Sequence, residues 1–119
     1  MTEAEQRRRL CRLDDLGDPG SRGFSLRTAA GLQDIFVVRR GEHICAYANS
    51  CPHTGGPLDW QPHQFLSLDG DLIQCATHLA LFRIDDGRCV AGPCVGRTLT
   101  PVPLALIDGW VLTTVGEVV

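Results

Sequence analysis

The feature that most limits what this chain can become is its punctuation. Turn signals recur along it: Arg40-Gly41-Glu42, Asp69-Gly70, Asp85-Asp86-Gly87 and Asp108-Gly109. Each stands between short runs rich in branched and aromatic residues, the signature of hairpins rather than helices. The runs are Arg22–Arg27, Gln33–Arg39, His43–Ala48, Phe65–Leu68, Asp71–Gln74, Leu81–Ile84, Arg88–Val90, Val102–Ile107 and Trp110–Thr114. Many short strands with regular turns predict an all-β domain, an antiparallel β-sandwich or partly open barrel. With 119 residues there is room for one domain and a modest core. Residues 1–9 carry five charges and two apolar side chains and read as a flexible arm or short helix, with 10–119 as the single domain. No repeat, low-complexity tract or linker divides it.

Composition removes several functions. All eleven basic residues are Arg and the net charge is −3, which argues against a nucleic-acid face. Without Lys there is no Schiff-base lysine and no complete phosphate-binding G-x-x-x-x-G-K-[ST] loop. No G-x-S-x-G nucleophile elbow is present. The longest apolar run, Ile44–Ala48, is too short for a membrane span or an export signal. Arg7-Arg8-Arg9 is followed by charged sequence where an export signal would be apolar, so a cytoplasmic protein is expected. Six cysteines fall short of a disulfide-built secreted chain, and reduced thiols or metal ligands are the expectation.

Two segments break the strand rhythm, Asn49–Leu58 and Gln74–His78. They contain Cys51-Pro52-His53 and Cys75-Ala76-Thr77-His78, a C-x-H followed after twenty-one residues by a C-x-x-H. Three explanations stand side by side. Cysteine is often a small buried hydrophobe and a lone His often structural, but two Cys-first, His-last pairs make coincidence the minority case. Structural zinc accepts two Cys and two His, though fingers place both Cys before both His. In a mixed-ligand [2Fe–2S] centre two His replace two Cys on one iron, and a loop carrying one of each can serve both irons.

The run Cys51-Pro52-His53-Thr54-Gly55-Gly56-Pro57-Leu58 resembles the first cluster loop of Rieske-type ferredoxins. Cys75–His78, with Phe82 four residues on, resembles the second. Asp85–Pro93 is similar to the turn, strand and proline loop that follow, and Leu99–Thr113 to the closing strands. Leu10–Leu16 and Gln33–Ala48 fit the opening strands more loosely. The resemblance implies a Rieske-type iron–sulfur fold with a small cluster-binding part over about 49–94. It implies one [2Fe–2S] cluster per chain, with Cys51 and Cys75 on one iron and His53 and His78 on the other. It also implies a one-electron carrier, not an enzyme, that passes electrons from a reductase to a terminal oxygenase or another oxidoreductase. Redox proteins are then the partners, with no nucleic acid and no membrane, and a monomer is expected. Two alternatives are a fixed small subunit of a reductase, such as that of assimilatory nitrite reductase, and a sensing module holding zinc or a labile cluster.

Within the family, high-potential members carry a second Cys in each loop and hydroxyl donors near the cluster. The matching positions are Gly56, Thr77, Ala80 and Phe82, which imply no bridge and a low potential. Leu79 stands where the family usually has Gly. The gap between ligand pairs is long, and Trp60–Asp71 reads as a partner-specific excursion. Cys11, Cys45 and Cys89 read as core packing and Cys94 as a structural thiol near the cluster. His43 and His63 read as solvated or structural, Trp60 and Trp110 as packing, and Arg39-Arg40 as a solvated strand end.

Overall fold

The run Ile35-Phe36-Val37-Val38 has no polar partner on alternate positions, so a strand built from it must be covered on both faces. The computed structural model, which describes residues 7–52, 56–59, 63–67, 69–75 and 80–119, does this. All four side chains are fully buried. Phe36 and Val38 enter one apolar cluster and Ile35 and Val37 a second on the opposite face.

Ten strands are present among the described residues: β1 Arg8–Arg12, β2 Gly20–Thr28, β3 Gly31–Arg40, β4 His43–Ala48, β5 Leu72–Gln74, β6 Leu81–Arg83, β7 Cys89–Ala91, β8 Ala105–Ile107, β9 Trp110–Thr113 and β10 Glu117–Val118. The only helical piece among them is a 3-10 turn over Leu13–Asp15. All pairings are antiparallel and form three sheets: β1-β9-β8, β10-β2-β3-β4 and β5-β6-β7. The sheets do not close into a barrel. The four-stranded sheet is the middle layer. One of its faces meets Cys11 of β1 and Val111 of β9; the other meets Ile73, Phe82 and Cys89 of the β5-β6-β7 sheet. Burial of these two apolar faces, at about 25 cal/mol per Å², is the main force holding the layers together.

The β2–β3 hairpin runs in unbroken register from Gly20↔Arg39 to Thr28↔Gly31, and β3–β4 from Ile35↔Ala48 to Arg40↔His43. Gly41 turns the second hairpin at φ 61, a left-handed conformation that favours glycine. The outer edge of β4 is not left open: Ala48 N–H donates to the Thr100 carbonyl at 2.8 Å and Val102 N–H to that of Ala46 at 2.9 Å.

Two expectations change. The first strand begins at Arg8, so Arg8 and Arg9 are not part of the arm; residues 1–6 lie outside the described residues. Their charge is accommodated because β1 buries only Cys11, while the guanidinium groups of Arg9 and Arg12 lie 4.4 and 5.2 Å from the centre of the Trp110 ring. The described part of the long gap is not an excursion. Phe65 is fully buried and stacks on Phe36 with ring centres 4.3 Å apart and planes 5° apart, and Leu66 bridges Ile73. Trp60 and Leu68 lie outside the described residues.

Candidate metal centre

Three loops leave strand ends and converge. The first leaves β4 and is closed at its base by Asn49. Its Oδ1 accepts the Leu58 N–H at 2.8 Å, its Nδ2 donates to Asp59 Oδ1 at 3.0 Å, and its own N–H donates to the Asp34 carbonyl at 2.9 Å. One amide side chain therefore spans the loop, the role for which Asn suits a turn. Inside it, Cys51 N–H donates to the Gly56 carbonyl at 2.8 Å. The second loop leaves β5 and is closed by Cys75 N–H to the Ala80 carbonyl at 2.9 Å. The third leaves β7 and turns back through Arg97 N–H to the Cys94 carbonyl at 2.9 Å and Cys89 N–H to the Arg97 carbonyl at 2.8 Å.

The loops touch at defined points. Gly92 lies so close to the second loop that a Cβ there would meet Ala80 Cα at 2.8 Å, and its φ of +98 is one that side chains rarely adopt. The Arg97 guanidinium crosses to the first loop and donates to the Pro52 carbonyl at 2.8 Å. Cys51 and Cys75 are both buried and belong to the same apolar cluster, floored by Phe36, Leu58, Phe65 and Phe82. His53 and His78, the expected imidazole partners, lie outside the described residues, as do Thr77 and Leu79.

Cys89 and Cys94 share that cluster. The Cys94 thiol donates to Cys89 Sγ at 3.2 Å, and Cys89 donates to the Ala91 carbonyl at 3.1 Å. The pKa of Cys94 is pushed up to about 12, first by burial, then by its hydrogen bond to Cys89 and the nearby sulfurs of Cys89, Cys51 and Cys75. At neutral pH it is a thiol, so it adds no further anion to the site. Burial likewise raises Cys11 and Cys45, in line with packing roles. Two buried sulfurs from separate loops in one apolar cluster are suited to a soft metal.

His63 is structural: its Nδ1 accepts the Gly23 N–H at 3.0 Å, and its carbonyl accepts the Ser21 hydroxyl at 2.7 Å. Arg39 is tied to the Leu13 and Gly41 carbonyls, and Arg40 pairs with Asp71 at 2.7 Å, so this strand end is more engaged than a merely solvated one. Sequence reasoning missed Asn49 and Arg97. Asn49 carried a signal, an amide at the exit of a strand before a Gly/Pro-rich loop. Arg97 carried none, because its partner is forty-five residues away.

Among curated proteins none matches this chain. Among solved structures, the ferredoxin of carbazole 1,9a-dioxygenase from Nocardioides aromaticivorans IC177 is similar, at 23% identity and TM-score 0.68, over 88% of this chain and 93% of that one. A chain in the complex of reduced oxygenase and oxidized ferredoxin in carbazole 1,9a-dioxygenase gives 22% and 0.70 over 95% of each. The terminal oxygenase of carbazole 1,9a-dioxygenase from Novosphingobium sp. KA1 gives 20% and 0.75 over 92% of this chain but 30% of that one. At these identities the likeness is one of fold. The model for the Rieske [2Fe-2S] domain matches residues 7–108, which takes in all three converging loops, and the chain therefore belongs to the Rieske [2Fe–2S] domain family.

Proposed function

We propose that this protein is a one-electron carrier whose [2Fe–2S] cluster is held by Cys51, His53, Cys75 and His78. The observation that carries the proposal is the meeting of two buried cysteines from separate loops in one apolar cluster, in a chain that matches the Rieske model. The donor set fits the group. Two sulfurs serve one iron, and the single His of each motif serves the other. When bound, the cluster supplies a reversible one-electron couple.

The chain's own residues do the rest. Asn49, the Cys51–Gly56 hydrogen bond and the Cys75–Ala80 hydrogen bond hold the backbones of the loops that carry the two cysteines. Phe36, Leu58, Phe65 and Phe82 keep water from the inner side. The side chains of Ala80 and Phe82 carry no hydroxyl to donate to sulfur. The potential is therefore expected toward the lower end of the roughly −150 to +300 mV spanned by Rieske centres. The likeness in fold to ferredoxins supports reading it as a transfer module. Its partners are a reductase and an electron-accepting oxygenase or other oxidoreductase, in keeping with the ferredoxin and oxygenase domains that share its fold. No helix among the described residues is long and apolar enough to cross a membrane. The placement in the cytoplasm rests on the charged sequence that follows Arg7-Arg8-Arg9.

The test is spectroscopic. The purified protein is expected to be red-brown, with about two irons and two sulfides per chain, and a reduced-state electron paramagnetic resonance spectrum of low average g. Cys51→Ser should abolish cluster assembly. A colourless zinc protein, or a Cys51→Ser variant with unchanged iron and colour, would overturn the assignment.

A further inference from the structure

We infer that Arg97 is a positioning residue for the first cluster loop, clamping its backbone and fixing a positive charge beside it. The inference rests on the cluster assignment above.

Pro52 lies between Cys51 and His53. Having no N–H, its one polar backbone group is its carbonyl, which belongs to the peptide bond leading into His53. Arg97 Nη1 donates to that carbonyl at 2.8 Å. The inner side of the loop is already held by the hydrogen bond from Cys51 N–H to the Gly56 carbonyl. The two bonds together hold the Cys51 amide and the Pro52 carbonyl, one backbone group just before Pro52 and one of Pro52 itself.

The clamp has a firm base. The Arg97 backbone is bonded through both its N–H and its carbonyl, to Cys94 and Cys89. The preceding Gly96 makes the return possible at φ +91. Gly92, at the other end of the same loop, is packed against Ala80. The third loop is thus anchored to the second by packing and to the first by one guanidinium. Among the described residues no carboxylate forms an ion pair with Arg97. A cation held beside the loop favours the more negative, reduced state of the centre. Because the side chain is exposed, that influence is screened by salt.

The experiment uses the intact holoprotein and the variants Arg97→Gln and Arg97→Lys. Direct electrochemistry at low and high ionic strength is run beside the rate at which visible absorbance is lost in moderate urea. Arg97→Gln is expected to lower the midpoint potential, by less at high salt. It should also speed cluster loss about threefold to tenfold, the span of an exposed charge-assisted hydrogen bond. Arg97→Lys, which keeps the charge, should bring the potential back toward that of the parent. A Gln variant matching the parent in both readouts, or a Lys variant whose potential falls with Gln, overturns the clamp. If the parent protein binds no [2Fe–2S] cluster, it is the functional assignment that fails.

Discussion

The four-stranded sheet and the β5-β6-β7 sheet face each other across one core yet are built by different means. In the first, β2 and β3 share nine consecutive register pairs and β3 and β4 six. In the second, β5 and β6 share three, and β6 and β7 two with a register shift between them. Three-residue strands do not sustain a sheet alone. The first region is specified by a repeating backbone ladder under a period-two or fully apolar pattern. The second is specified by single contacts: the Phe65–Phe36 stack and the Gly92–Ala80 approach. A ladder tolerates the loss of one rung. A set of unique contacts does not, and that is where a protein that must grip a cluster places its loops.

The stack joining the two regions offers the strongest way to break this contrast. Phe65 is fully buried, its carbonyl accepts the Gln74 N–H at 2.9 Å, and a Cβ on Gly23 would touch its ring at 3.3 Å. Phe65→Ala should cost about 3–5 kcal/mol, the usual range for a buried ring. Hydrogen exchange should show amides of β5, β6 and β7 losing protection well before those of β2 and β3. If both regions lose protection together, they form one cooperative unit and the contrast is wrong.

Gly92→Ala sharpens the contrast at one atom. Its added methyl would collide with Ala80 Cα in a backbone conformation that penalises any side chain. The cost is about 2–3 kcal/mol, concentrated at the second and third loops. The expected result is a lower cluster content with the circular dichroism of the four-stranded sheet retained. A variant that assembles a full complement of cluster would show that the close approach is incidental.

What could be read from the amino acids follows the same division. The β3–β4 hairpin was legible almost to the residue, because Ile35–Val38 can only be a doubly covered strand and Gly41 can only be a turn. That Cys51 and Cys75 share one buried cluster was legible in the paired Cys-first, His-last motifs on two turn-rich loops; their role as ligands is the proposal made above. Phe65 was read as opening a short strand, but its place in the core was not legible: it lies in a stretch that read as an excursion, and its partner Phe36 is twenty-nine positions away. The start of β1 was hidden by Arg7-Arg8-Arg9, whose charge reads as solvated until β9 brings Trp110 beneath it. Strand β10 was hidden because both of its residues are exposed and its identity lies in pairing with Arg27 and Leu26. Local pattern encodes local ladders; contacts between distant singletons leave no periodic trace.

The smallest expected effect tests whether local contacts within the β5-β6-β7 sheet matter beside those long-range ones. In the β6–β7 turn, Asp86 Oδ1 accepts the Arg88 N–H at 2.9 Å and Arg83 Nε–H at 3.2 Å, and Arg83 Nη2 pairs with Oδ2. The Arg83 hydrogen bond, then that from the Arg88 backbone, holds the carboxyl at about 2, below its ordinary 3.8. A depressed acid stabilises the fold above its unfolded pKa and loses that contribution as pH falls, here from about 4 to about 2. The groups are exposed and screened, so the loss is slight. Asp86→Asn is therefore expected to shift the urea midpoint at pH 7 by far less than Gly92→Ala. The gap between variant and parent should narrow further at pH 3, with acid effects common to both cancelling. A shift as large as that of Gly92→Ala would mean that the turn, not the convergence of the loops, holds this sheet in place.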